Sequence, residues 1–166
     1  MRKFSGGNIY GLPFNCVKET KIQCFQYKLL HRILPSNKFL YQIRYIDKPN
    51  CSFCDNEDET LEHLFFQCQY VFSLWESLKV YLQVNIDLNL NLSLQTILFG
   101  IVDQTSAKSA NYIILMTKYY IYLCKCNNSK LNVNTALKFI HNKYKIRIQA
   151  GFSKLPKIEI LFTKLF

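Results

Sequence analysis

Glycine and proline are scarce in this chain of 166 residues, at five and four, which excludes collagen-like and proline-rich repeats. No apolar run reaches the ~18 residues that a membrane span needs. The longest candidate, 112–124, is shorter and carries Lys118. The opening stretch, Met1-Arg2-Lys3-Phe4-Ser5-Gly6-Gly7-Asn8, lacks the apolar centre of a signal peptide. There is no glycine-rich phosphate loop, no nucleophile paired with a base, and no cluster of carboxylates outside 55–62. Nothing therefore points to an independent enzyme. These absences leave an intracellular chain, cytoplasmic or nuclear, with no small-molecule substrate implied. In a reducing compartment its seven cysteines read as metal ligands or buried thiols before disulfides. A hydrophobic share of 49% against 19% charged excludes a disordered chain.

Acids are few as well, and they are unevenly placed. The formal net charge is +10. Residues 51–78 contain six acids and no Lys or Arg, while both flanks are strongly basic. A basic surface of this size points to a polyanion, nucleic acid before membrane, because no segment pairs a dense basic face with a clean apolar one.

The periodicity is mainly helical. Ile22, Phe25, Leu29 and Ile33 recur at helical spacing behind Thr20, a predicted N-cap, and Pro35 should end that helix near Leu34. Ser36 should cap a short helix carrying Phe39, Leu40 and Ile43. Val71, Leu74, Trp75, Leu78 and Leu82 mark another helix. Residues 85–94 alternate apolar with Asn and Asp and read as extended. Ser93 should cap a short helix closed by Gly100. Asn111 to Cys126 reads as a buried helix. Val133 to Gln149 reads as a helix with Leu137, Ile140 and Tyr144 inward. The tail from Pro156 reads as a strand or a docked extension. The expected organisation is an irregular lead-in (1–19), a small helical domain with a zinc knuckle (20–83), and a helical C-terminal extension (84–166).

One motif is specific. Cys51, Cys54, His63 and Cys68 form the pattern Cys-x2-Cys-x8-His-x4-Cys. Zinc takes four sulfur or nitrogen donors in a closed tetrahedron, and two cysteines separated by two residues converge on one ion from a tight turn. Thr60 can cap a helix that carries His63 to the site. On an ideal α-helix, however, residues five apart point about 140° apart. The helix should therefore loosen or end near Gln67. Four protein ligands leave no open position for water, which argues for a structural metal over a catalytic one.

The stretch Lys21-Ile22-Gln23-Cys24-Phe25-Gln26-Tyr27-Lys28-Leu29-Leu30-His31-Arg32-Ile33-Leu34-Pro35-Ser36-Asn37, with Glu59-Thr60-Leu61-Glu62-His63-Leu64-Phe65-Phe66-Gln67-Cys68 and the subsequent Trp75, resembles the zinc-binding domain of reverse transcriptases. That domain belongs to the C-terminal region of non-LTR retrotransposon proteins. The resemblance implies Zn2+ at Cys51, Cys54, His63 and Cys68, and a role in engaging template RNA or target DNA. It does not extend to the polymerase. The chain has no Tyr-x-Asp-Asp signature, since Tyr45-Ile46-Asp47-Lys48 is not one.

The acidic zinc zone should repel phosphate, so the metal reads as a staple and the flanks as the gripping surface. The candidate nucleic-acid contacts are Lys21, Lys28, Arg32, Lys38 and Arg44 before the knuckle, and Lys138, Lys143, Lys145 and Arg147 after it. Tyr27, Tyr41 and Tyr45 interleave with the first set; core packing is their plainer role and base stacking the alternative. Cys16, Cys24, Cys124 and Cys126 read as buried thiols. A second reading is a zinc-stapled interaction domain that docks on a reverse transcriptase core through 112–124 and 86–94.

Overall fold

The computed structural model describes residues 17–101 and 107–165, and among them the architecture is mainly helical, without strands. Helix α1 spans Thr20–Leu30 and α2 Asn37–Gln42. The metal-ligand loop comes next and closes in a π-turn, His63–Gln67. Then come α3 (Gln69–Ile86), α4 (Leu94–Phe99), α5 (Lys108–Cys126), α6 (Val133–Gln149) and α7 (Pro156–Leu165).

Helix α5 is the central rod. Every residue from Ser109 to Lys118 is buried, and so are Tyr120, Ile121 and Cys124. Helices α1, α4, α6 and α7 all pack on it, and α7 also covers α3. One continuous apolar core runs from Val17 to Phe162, so the division expected at residue 83 falls inside α3. The 112–124 face expected to be left open for docking is the middle of this core. Leu88 and Leu90 are likewise buried, while Asp87, Asn89 and Asn91 face solvent. Their alternation is that of an extended segment lying on the core, with no strand partner among the described residues.

Local chemistry explains most boundaries. The Ser36 Oγ accepts the Phe39 N–H at 3.3 Å. Ser93 and Thr96 form a reciprocal capping box at the start of α4. Helix α1 differs from expectation at both ends. Glu19, not Thr20, holds the N-cap position, and the helix stops at Leu30. Arg32 there adopts φ 57°, Ile33 N–H donates to Lys28 C=O at 2.9 Å, and Arg32 N–H donates to Leu29 C=O at 3.1 Å. This pair of bonds satisfies the last carbonyls before Pro35 is reached. The same motif recurs at Arg44 (φ 58°) and Asn128 (φ 50°), ending α2 and α5.

The tail is a helix. Its apolar residues Ile158, Leu161 and Phe162 are buried at i, i+3 and i+4, a spacing that the alternation of Ile158, Ile160 and Phe162 concealed. Of the cysteines expected to be buried thiols, Cys124 is buried but Cys24 and Cys126 are exposed; Cys16, like most of the lead-in, lies outside the described residues. No helix among them is long and apolar enough to cross a membrane.

Candidate metal centre

The loop holding the first two donors is a tight, ladder-like turn. Asn50 and Asp58 form an isolated antiparallel bridge. Cys51 N–H donates to Glu57 C=O at 2.8 Å, and Glu59 N–H donates to Pro49 C=O at 2.8 Å. Asp55, just after Cys54, turns the chain with φ 56°, a conformation that Asp tolerates better than most residues.

The other two donors depend on the π-turn. His63 N–H donates to the Thr60 Oγ1 at 3.0 Å, so Thr60 caps the turn as expected. Cys68 N–H then donates to His63 C=O at 3.0 Å, an i→i+5 bond. Such a turn brings residues five apart onto one side, which resolves the 140° conflict of an ideal α-helix. The Phe65 carbonyl within this turn accepts the Trp75 Nε1–H at 2.9 Å. Trp75 is fully buried and locks the turn onto α3.

The four donor atoms lie within 4.8 Å of one another. The Cys51 and Cys68 sulfurs are 3.8 Å apart, and Cys54 Sγ is 3.3 Å from His63 Nε2. With zinc–sulfur bonds of ~2.3 Å, a tetrahedron has sulfur–sulfur edges of about 3.8 Å, so the donor set fits one small ion. Phe53 N–H points at Cys51 Sγ from 3.4 Å, and Glu57 Oε2 stands 3.4 Å from His63 Nδ1. A carboxylate behind the imidazole is the usual second partner of a metal-binding histidine. The hydrogen bond from Cys51 to Cys68 and burial push the Cys51 thiol up, while the same bond holds Cys68 below the ordinary thiol range.

The acids of this zone are engaged by partners from elsewhere in the fold. Glu59 is fully buried. Its carboxylate accepts Ser52 N–H at 2.8 Å, Ser52 Oγ–H at 2.6 Å and Asn37 N–H at 2.9 Å, and pairs with Lys125 of α5 at 2.9 Å. Asp58 pairs with Lys38 at 3.1 Å. Glu62 pairs with Arg32; burial alone would raise its carboxyl, but the guanidinium holds it below the usual range. The acids thus clamp the knuckle to α1, α2 and α5.

These pairs divide the predicted basic surface. Lys21, Lys28, Arg44, Lys138 and Lys145 are exposed and make no ion pair among the described residues. Arg32 and Lys38 are committed to the knuckle, and Lys143 pairs with Glu19. Arg147 is a correction: it is buried, donates to Ser153 C=O and lies 4.9 Å from the Phe152 ring centroid, where it holds the α6–α7 connection. The tyrosines are a second correction. Tyr27, Tyr41 and Tyr45 are not core residues but are 50%, 48% and 76% exposed. Sequence reasoning had no means of pairing Glu59 with Lys125, because they are 66 positions apart and neither belongs to a motif.

The fold and site define a helical domain with a Cys3His cluster able to hold a metal ion. Residues 8–75 match the family described as zinc-binding in reverse transcriptase, and all four donors lie inside the matched stretch. No curated protein and no solved structure matches the chain.

Proposed function

We propose that the protein is a zinc-stapled nucleic-acid-binding accessory module, of the kind that serves a non-LTR retrotransposon reverse transcriptase, with no catalysis of its own. The observation that carries the metal is the closed Cys51, Cys54, His63, Cys68 set, since three thiolates with one imidazole suit Zn2+ and leave no position for a substrate. The exposed Lys21 and Lys28, one face of α1, support an electrostatic contact with RNA or DNA. The knuckle's acids oppose it less than their number suggests, because Arg32, Lys38 and Lys125 neutralise three of them.

The test has two parts. Purified protein should contain one zinc per chain, removable by a chelator. Its affinity for single-stranded and duplex nucleic acid should fall steeply with salt, and Lys21→Glu with Lys28→Glu should weaken binding while the helical spectrum is unchanged. Equal binding by parent and double variant would discard α1 as the contact surface.

A second reading, docking on a reverse transcriptase core, is favoured by one feature. Phe39, Tyr41, Ile43 and Tyr45, on and just after α2, are all exposed. Ile43→Lys would abolish co-purification with such a core under this reading and leave nucleic-acid binding intact.

A further inference from the structure

Beside the knuckle lies a cleft of about 660 Å³, inside the ~300–1,000 Å³ range of small-ligand sites. Its walls come from three places: Ser52 and Phe53 of the knuckle, the start of α3, and the loop joining α5 to α6. The wall from α3 is a strip. Tyr70, Ser73 and Ser77 recur at i, i+3 and i+7, all exposed on the helix face opposite the buried Val71, Trp75 and Leu78. The loop contributes Asn128, Ser129 and Lys130.

We infer that this cleft is a binding site for unpaired nucleotides of a single-stranded nucleic acid, an inference that rests on the nucleic-acid reading above. Three properties of the walls select that ligand. No Asp or Glu lines the cleft, although the chain's acidic zone adjoins it. The carboxylate behind Ser52, that of Glu59, is already neutralised by Lys125. The lining is rich in neutral groups that donate and accept hydrogen bonds, as base edges, sugars and phosphate oxygens require. Finally, an aromatic ring 52% exposed, Tyr70, and the partly buried Phe53 offer flat faces of the kind on which unstacked bases pile, and Lys130 supplies one cation for a phosphate.

The cleft is also held in shape. Asn128 sits at the left-handed end of α5, with Ser129 N–H bonded to Cys124 C=O at 2.9 Å. The Tyr120 hydroxyl holds both the N–H and the C=O of Asn132 at 3.2 Å. The loop therefore does not have to order itself on binding, which lowers the cost of association. Phe53 and Ser52 are fixed by the metal-ligand loop, so the knuckle forms one wall of the site without presenting its acids to the ligand.

The experiment uses the full zinc-loaded chain with a short oligouridylate and a duplex RNA of equal length as probes. The parent should prefer the single strand. Tyr70→Ala should weaken oligouridylate binding about tenfold or more, and Tyr70→Phe should restore it, since the ring face survives. Lys130→Ala should lower the slope of log affinity against log salt by about 0.7, one phosphate on a single strand. Photocrosslinks from 4-thiouridine should map to Phe53 or Tyr70. If the parent binds oligouridylate but Tyr70→Ala and Lys130→Ala bind equally well, or crosslinks fall on Tyr27 or Tyr45, the cleft is not the site and the broader reading stands on α1. If the parent binds neither probe, both fail together. Protection of Tyr70 by a reverse transcriptase core, with no effect of oligouridylate, would assign the cleft to a protein instead.

Discussion

Lys125 Nζ and Glu59 Oε1 stand 2.9 Å apart with both side chains almost wholly out of water. The lysine lies fifty positions beyond the end of the family match, yet its charge is the counterpart of the carboxylate that fixes Ser52 in the metal loop. Removing one partner of a buried pair leaves an uncompensated charge, at a cost of ~3–5 kcal/mol. Lys125→Met should therefore lower the free energy of chemical denaturation by about that amount and weaken zinc retention against a chelator. Unchanged values for both would mean that the pair is incidental.

The π-turn invites a sharper change. Gln67 is exposed, so Gln67→Ala should be silent in both metal content and helicity. Deleting Gln67 turns the i→i+5 spacing of His63 and Cys68 into i→i+4 and rotates the downstream chain by ~100°. The deletion should cost the chain its metal. A deletion variant that still carries one zinc would show that the turn is not what brings the two donors together.

Trp75 is the chain's single tryptophan, and its indole N–H satisfies the Phe65 carbonyl. In Trp75→Phe that carbonyl goes without its partner, at ~1–3 kcal/mol, with a further penalty for the lost volume. Denaturation monitored by circular dichroism should place the variant at least that far below the parent. In the parent, the tryptophan emission should change together with removal of the metal.

His141 gives a signed dependence on pH. Its ring stacks on Phe162 of α7 at 4.3 Å. Burial, with the Lys145 ammonium one turn away, holds its pKa below the ordinary histidine value. The folded chain therefore favours the neutral ring. The stability this contributes is full above the unfolded value of ~6.5 and is lost as the pH falls through the lower folded value. The gap in melting temperature between parent and His141→Asn should narrow as the solution is acidified below about pH 6.5. A gap that stays constant from neutral pH downward would contradict the assignment.

Where local chemistry controls the structure, the sequence was legible. The ligand spacing, the Ser36, Thr60 and Ser93 caps, and the core faces of α3 and α6 are encoded within a few residues, and the structure has them. The departures arose where distant residues decide. Arg147 looked like a surface cation by its place on the helical wheel, but Phe152 and the Ser153 carbonyl take it inward. Tyr27, Tyr41 and Tyr45 looked like core because aromatic residues usually are, yet α1 buries Ile22, Phe25 and Leu29 instead, and α2 is too short to bury any residue. The end of α1 went to a left-handed arginine, which sequence rules assign to glycine or asparagine.

The unbroken apolar interior has a practical bearing on dissection. A protein cut after residue 75, where the recognised segment stops, would split an eighteen-residue helix and strip away the lysine that balances Glu59. Such a fragment would keep every metal donor and still forfeit the scaffold that aims them, so the minimal autonomous unit is set by α5 and its lysine rather than by the borders of the matched segment.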